Sequence, residues 1–454
     1  MTEVTWRTGR GALPLLAAVL ALWGPSARAQ DPAAAPDRPL TVAEAVRLGL
    51  ANNPRVRGAD ADAAAGRAAE REARSALLPA VRSAATYTRI GGDIPAAEFM
   101  LPGVDSAITL MPVELDRYHL ELSVEQPLYT GGRLRQGARA AGLEADAAER
   151  LAEQERADVA FEIRRAYWTL YGALSGRRAT DAALAGVEAH LEDVRSRFDE
   201  GAALRSELLA ARTRRSEILL ERVESENAVR VARLELNRLT GLPLSAQVAL
   251  SAAVEAEPLP TDLDALTASA AAALPRLRAM RAQVEALRAQ VAATQGGRLP
   301  ELAFLGRYIY ARPNPYAFSD PSTFRGTWEA GLQMQWGLWE GGARSARVER
   351  AAARLRSAEA ELETARREVE VEVARRYLEV RRATEALGVA AENVEEAEES
   401  LRVVRQQFRE GAALSAEVLD AEHAYQQARA RRARAEAEYG TARAALLHAR
   451  GSVW

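Results

Sequence analysis

The chain repeats itself. An offset of 210 positions lays Leu128, Gly131 and Gly132 on Leu338, Gly341 and Gly342, Arg165 and Tyr167 on Arg375 and Tyr377, and Gly241 on Gly451. The same offset lays the run FDEGAAL, Phe198 to Leu204, on FREGAAL, Phe408 to Leu414. Upstream the offset is 221, with Pro54 on Pro275, Leu78-Pro79 on Leu299-Pro300 and Tyr87 on Tyr308. The difference, 221 − 210 = 11, is an insertion in the first half between Tyr87 and Tyr118, where a surface loop would absorb it. A shared bias toward Arg and Ala scatters chance matches, but it does not reproduce Gly-Gly, Leu-Pro and FxEGAAL at constant spacing. Whatever the fold, it uses one order of elements twice.

That order begins with a helical stretch, roughly Thr41 to Leu77 and Asp262 to Gly296. Thr41 followed by Glu44 reads as a capping box, and Pro54 and Pro275 break or kink these helices near their starts. After each Leu-Pro the apolar period changes to two. Tyr118, Leu120, Leu122 and Val124 alternate with His119, Glu121, Ser123 and Glu125, and the residues from Trp328 to Leu338 alternate in the same way. This pattern makes strands with one wet and one apolar face. A weaker strand precedes each, around Val81–Ile90 and Leu302–Tyr310, separated from it by a polar loop, Gly91–Glu114 or Ala311–Thr323. Two hairpins do not close the edges of a sheet. Tyr118, Tyr129, Trp328, Trp336 and Trp339 resemble the aromatic girdle of an outer-membrane barrel. A soluble β-sandwich would show the same alternation. Gly131-Gly132 and Gly341-Gly342 then turn strand into helix through permissive backbone angles.

Two proline-free stretches follow, Arg133 to Glu200 and Arg344 to Glu410, rich in Ala, Glu, Arg and Leu. Each is long enough for a helix of roughly 100 Å. Each turns at Gly201 or Gly411 and returns, giving antiparallel helical hairpins.

The N-terminus has Arg7 and Arg10, an apolar run from Ala12 to Trp23, and Ala27-Arg28-Ala29. These are the marks of a secretory leader spanning 1–29. The barrel is favoured over the sandwich by this export and by the small number of strands. With 60 basic and 63 acidic residues the net charge is −3, unlike a nucleic-acid binder. Cysteine is absent and there are four histidines, His119, His190, His423 and His448. None is spaced as a metal-ligand pair, so no metal or cofactor is expected. No nucleophile elbow, phosphate loop or HExxH occurs, and the chain does not read as an enzyme.

In both halves the helix running into "LLPAVRSAATYTR", the turns "QPLYTGGR" and "WGLWEGGAR", and the two FxEGAAL tips before "SELLAA" and "AEVLDA" resemble the TolC-like outer-membrane efflux proteins. The resemblance spans essentially the whole exported chain. It divides it into a first repeat at 30–241, an equatorial segment at 242–272 and a second repeat at 273–454. It implies a mainly α fold with a β-barrel part. In a homotrimer, four strands per subunit would build a twelve-stranded barrel in outer-membrane lipid, and the helical hairpins a periplasmic α-barrel. The partners implied are a periplasmic adaptor and an inner-membrane pump. The adaptor would meet the tips at Phe198, Gly201, Ala202, Ala203, Leu204, Phe408, Gly411, Ala412, Ala413 and Leu414. Glu417 and Asp420 match the family's acidic pair at the pore constriction, where stacked carboxylate rings favour cations. Glu207 matches a carboxylate of the gate network. Ala413 and Phe408 stand where a gate Arg and Tyr are expected, which leaves either other arginines, such as Arg205 or Arg409, or a looser gate. The reading is a passive export duct. The alternative is a periplasmic coiled-coil adaptor or scaffold, which would lack the two matched strand pairs.

Overall fold

The computed structural model describes residues 38–92, 97–99, 108–111, 114–251, 262–316 and 322–452. The leader expected at 1–29 lies outside the described residues, as does the stretch 252–261 of the inter-repeat segment.

Thr41 opens helix α1 (Val42–Asn52) with the expected box. Its N–H donates to Glu44 Oε2 at 3.1 Å, and the Glu44 N–H donates to Thr41 Oγ1 at 3.2 Å. Pro54 then begins α2 (Pro54–Ser75) in the first turn, where a missing N–H costs nothing.

Leu78-Pro79 leads into β1 (Ala80–Arg89). The next segment corrects the sequence reading. Inside the expected loop Gly91–Glu114, β2 (Ala97–Phe99) and β3 (Ile108–Met111) pair with each other as a separate two-stranded ladder. The inserted residues give this connection enough length to double back on itself. β4 (Asp116–Tyr129) pairs with β1 and runs through Gly131-Gly132 into α3 (Arg133–Asp199). α3 returns as α4 (Arg205–Thr240).

The second half follows the same order: α5 (Leu263–Ala273), α6 (Pro275–Gly296), β5 (Glu301–Arg312), β6 (Arg325–Gln335), α7 (Ala343–Arg409) and α8 (Ser415–Ala449). Pro275 divides α5 from α6 as Pro54 divides α1 from α2. A second correction falls at β6. Its alternation was expected to continue to Leu338, but pairing stops at Gln335 opposite Glu301. Pro300 precedes Glu301 and has no N–H to extend the ladder, so Trp336 and Trp339 lie beyond the strand.

The two hairpins join through β4 and β5 into one antiparallel sheet in the order β1-β4-β5-β6, with Tyr118 opposite both Tyr87 and Arg312. One face is apolar and uncovered: Leu122, Leu332 and Met334 are 47%, 67% and 68% exposed. On the other face Arg307 lies 3.3 Å from both Glu121 and Glu329.

α3 and α7 have 67 residues each and run about 100 Å. They are the long members of a single layer. α3 has α2 and then α4 on one side, and α6 and then α8 on the other, with α7 beyond them. Ala138, Ala140, Ala145 and Ala147 are buried along α3, and their small side chains allow close helix approach. Two cores hold the middle of the layer. Val46 packs with Ile163, Tyr167, Leu236 and Leu239, and Leu277 packs with Val373, Val380 and Leu446. Leu40 bridges Leu250 beside the first core, and the Tyr167 hydroxyl lies 2.9 Å from the Leu40 carbonyl and 2.6 Å from that of Ser251.

Candidate functional site

The far ends of the helical hairpins form one compact tip. Gly201 (φ +76°) and Gly411 (φ +75°) take the left-handed turn that a side chain would disfavour. Glu207 sits at the third position of α4 and accepts the Leu204 N–H at 3.1 Å; Glu417 accepts the Leu414 N–H at 3.0 Å. Both carboxylates therefore cap their own helices. Asp420 is exposed on the same face as Glu417, one turn on.

The tip residues divide by exposure. Leu204 and Leu414 are 68% and 65% exposed, and Gly201, Ala202, Gly411 and Ala412 are exposed beside them. Ala203 is half-buried. Ala413 and Phe198 pack against a small core of Val194, Leu208, Phe408 and Val418. Phe408, expected on the contacting surface, is only 7% exposed, because its ring fills the space between the two hairpins.

What joins the hairpins was not read from the sequence. The Arg197 guanidinium donates to the Phe408 carbonyl at 2.8 Å and lies 4.1 Å over its ring. His190, 4% exposed, hydrogen-bonds the Ser415 hydroxyl at 2.8 Å. Arg214 reaches His423 at 2.7 Å and Gln426 at 2.8 Å, and Gln426 donates to Glu221 at 2.5 Å. Arg205 and Arg409, the candidate substitutes, are exposed, whereas Arg197 bonds across the two hairpins within the protomer. The repeat held the signal. At the 210 offset His190 faces Ser400, Arg197 faces Gln407 and Ser415 faces Arg205, so the joint uses positions where the halves differ.

Burial pushes the His190 imidazole below its ordinary value, opposed by Asp193. Burial also pushes the Glu422 carboxyl up, against the pull of Arg405 at 2.9 Å. That pair lies over Gly186, where a Cβ would come within 3.0 Å of Arg405 Nη2. A cavity of about 780 Å³ runs along the seam, lined by Asp193, Arg214, Arg405 and Glu422 among others.

At the opposite end the expected aromatic belt is uncovered. Tyr118, Tyr129, Trp328, Trp336 and Trp339 are 37%, 48%, 79%, 53% and 87% exposed. The strand-to-helix glycines all have positive φ, +60° and +84° at Gly131 and Gly132, +59° and +86° at Gly341 and Gly342. Among the described residues no cluster of three or more acidic or histidine side chains could hold a metal ion. No described helix is long and apolar enough to cross a membrane.

The sequence matches the profile of the outer membrane efflux protein family over residues 45–242 and 266–452, one segment in each repeat. The chain belongs to that family. It is thus an outer-membrane efflux channel protein of the Gram-negative envelope, with its helices extending into the periplasm. Solved structures of similar fold include VceC from Vibrio cholerae, 19% identical over 90% of this chain and 96% of that one, TM-score 0.73. CmeC from Campylobacter jejuni is 15% identical over 90% and 85%, TM-score 0.75. The open state of MtrE from Neisseria gonorrhoeae is 17% identical over 90% and 89%, TM-score 0.74. No protein of curated function matches the sequence significantly.

Proposed function

We propose that this outer-membrane efflux protein works as a trimeric, passive duct. The observation that carries the reading is that each protomer is open at both sides. Among the described residues, β1 and β6 each leave one edge unpaired. The helical layer ends the same way, with exposed Leu220 and Val223 on α4 and Val371 and Val389 on α7, all between 63% and 69% exposed. Three copies joined edge to edge satisfy the strands and cover these side chains. Twelve helices spaced about 9 Å apart close into a tube about 34 Å across between axes. The apolar sheet face then meets lipid, and the face with Glu121, Arg307 and Glu329 lines the water-filled lumen.

In this reading the tip is the periplasmic entrance. The exposed Leu204, Leu414, Ala202 and Ala412 meet a periplasmic adaptor, and an inner-membrane pump supplies energy and cargo. Glu417 and Asp420 form rings at the entrance. The joint of Arg197, His190 and Arg214 holds the hairpins of each protomer together, in place of a gate built on Arg and Tyr. No catalytic step is assigned to any residue. Light scattering on detergent-purified protein tests the assembly: three protomers per particle are expected, and a monomer that stays soluble without detergent contradicts it and favours a periplasmic scaffold.

A further inference from the structure

Just below the sheet, α2 and α3 enclose a groove of about 800 Å³ whose walls include Arg71, Arg74, Arg135, Arg139, Leu77 and Leu78. Its acidic groups are already engaged. Glu70 is bound by Arg67 at 3.0 Å and Arg74 at 2.6 Å, and Asp146 by Arg67 at 2.8 Å. Arg71, Arg135 and Arg139 have no ion pair among the described residues, so three guanidinium charges are left uncompensated in one groove.

Abundance of Arg in the chain does not account for this. The second repeat provides the comparison. At the matching positions Arg71 becomes Ala292, Arg74 becomes Gln295, Arg135 becomes Ser345 and Arg139 becomes Glu349. None of these four positions is an arginine in the second half.

Its position is at the membrane boundary. Leu78, 63% exposed, is followed by Pro79 and then by β1, where Val81 is 64% exposed on the lipid-facing side. Arg135 and Arg139 lie at multiples of seven residues from Ile163 and Tyr167, so they share one stripe of a coiled-coil helix. That stripe carries α1 and Leu40. An element packed inside the tube would fill the duct, so the stripe faces outward. This step rests on the tubular channel proposed above.

We infer that the groove between α2 and α3 binds the headgroup of an anionic phospholipid from the periplasmic leaflet. The phosphate is held by Arg71, Arg135 and Arg139, and the acyl chains lie along Leu77, Leu78 and Val81. A basic groove with an apolar edge at this depth suits that ligand by charge and by shape. It gives each protomer one lipid site beneath its first hairpin.

The test is native mass spectrometry of the full chain in detergent, titrated with phosphatidylglycerol, phosphatidylcholine or inorganic phosphate. One phosphatidylglycerol per protomer is expected to bind in preference to phosphatidylcholine. At about fivefold for each arginine, Arg71→Gln/Arg135→Gln/Arg139→Gln weakens that binding about a hundredfold. Building the set into the second repeat, Ala292→Arg/Ser345→Arg/Glu349→Arg, raises the count to two. Equal binding of phosphatidylcholine, unchanged binding in the triple glutamine variant, or equal occupancy by inorganic phosphate overturns the lipid site. Trimers that ignore phosphatidylglycerol overturn this site alone, whereas protein that is monomeric and soluble without detergent overturns the channel reading as well.

Discussion

Arg197 gives one guanidinium to two tasks, a charged hydrogen bond to the Phe408 carbonyl and a cover over the Phe408 ring. Bonds of these kinds contribute about 2 kcal/mol together. Arg197→Gln is expected to loosen the joint between the hairpins, and single-channel recording should show larger or more frequent openings than in the parent protein. His190 makes the same joint sensitive to pH. Its ring is buried at Ser415 and Phe408, with Asp193 and Arg197 on its own helix, Glu207 on α4 and Arg405 on α7 around it. The folded site resists a proton that the unfolded chain accepts near 6.5. Stability is therefore unaffected by this group at higher pH and falls as pH drops from about 6.5 toward the depressed folded value. Thermal melts at pH 7.5 and 5.5 should show a smaller acid loss in His190→Gln than in the parent. An equal loss in both would remove His190 from the pH response.

At the scale of elements, the glycine turns join strand to helix and helix to helix. A Cβ on Gly131 would lie 2.3 Å from the Gly296 carbonyl oxygen, at φ +60°, so Gly131→Ala forces the backbones of the two repeats apart. Gly411→Ala meets only the left-handed strain, about 1–2 kcal/mol. Denaturation should thus rank Gly131→Ala as the more damaging change, and the reverse order would contradict the close packing at Gly296. These elements were largely legible in the sequence, because period and punctuation are local properties. The Thr41 box, the breaks at Pro54 and Pro275, both long helices and both FxEGAAL turns stand where the sequence puts them. The β2–β3 ladder was not legible, since its segments are short and carry no strong alternation. The end of β6 depended on Pro300, a residue of the partner strand. The burial of Phe408 and the bonds of Arg197 depend on a second hairpin some two hundred positions away, a contact that periodicity does not encode.

On the scale of the whole molecule, the acidic rings and the open edges make one claim, that three chains enclose a cation-favouring path. Glu417→Gln/Asp420→Asn removes the charge while leaving an acceptor for the Leu414 N–H, so the tip is expected to keep its turn. Surface arginines and carboxylates along the helices pair mostly within three or four residues, as Arg376 does with Glu372 and Glu379, and contribute little each. In the proposed duct, ion selectivity is then expected to be set at Glu417 and Asp420 and not along the tube. The most direct measurement is the reversal potential of single channels in planar bilayers under a salt gradient, for the full chain and for Glu417→Gln/Asp420→Asn. The account predicts stable, cation-selective pores whose selectivity collapses in the double variant. Absence of pores, or selectivity that the double variant leaves unchanged, would contradict it.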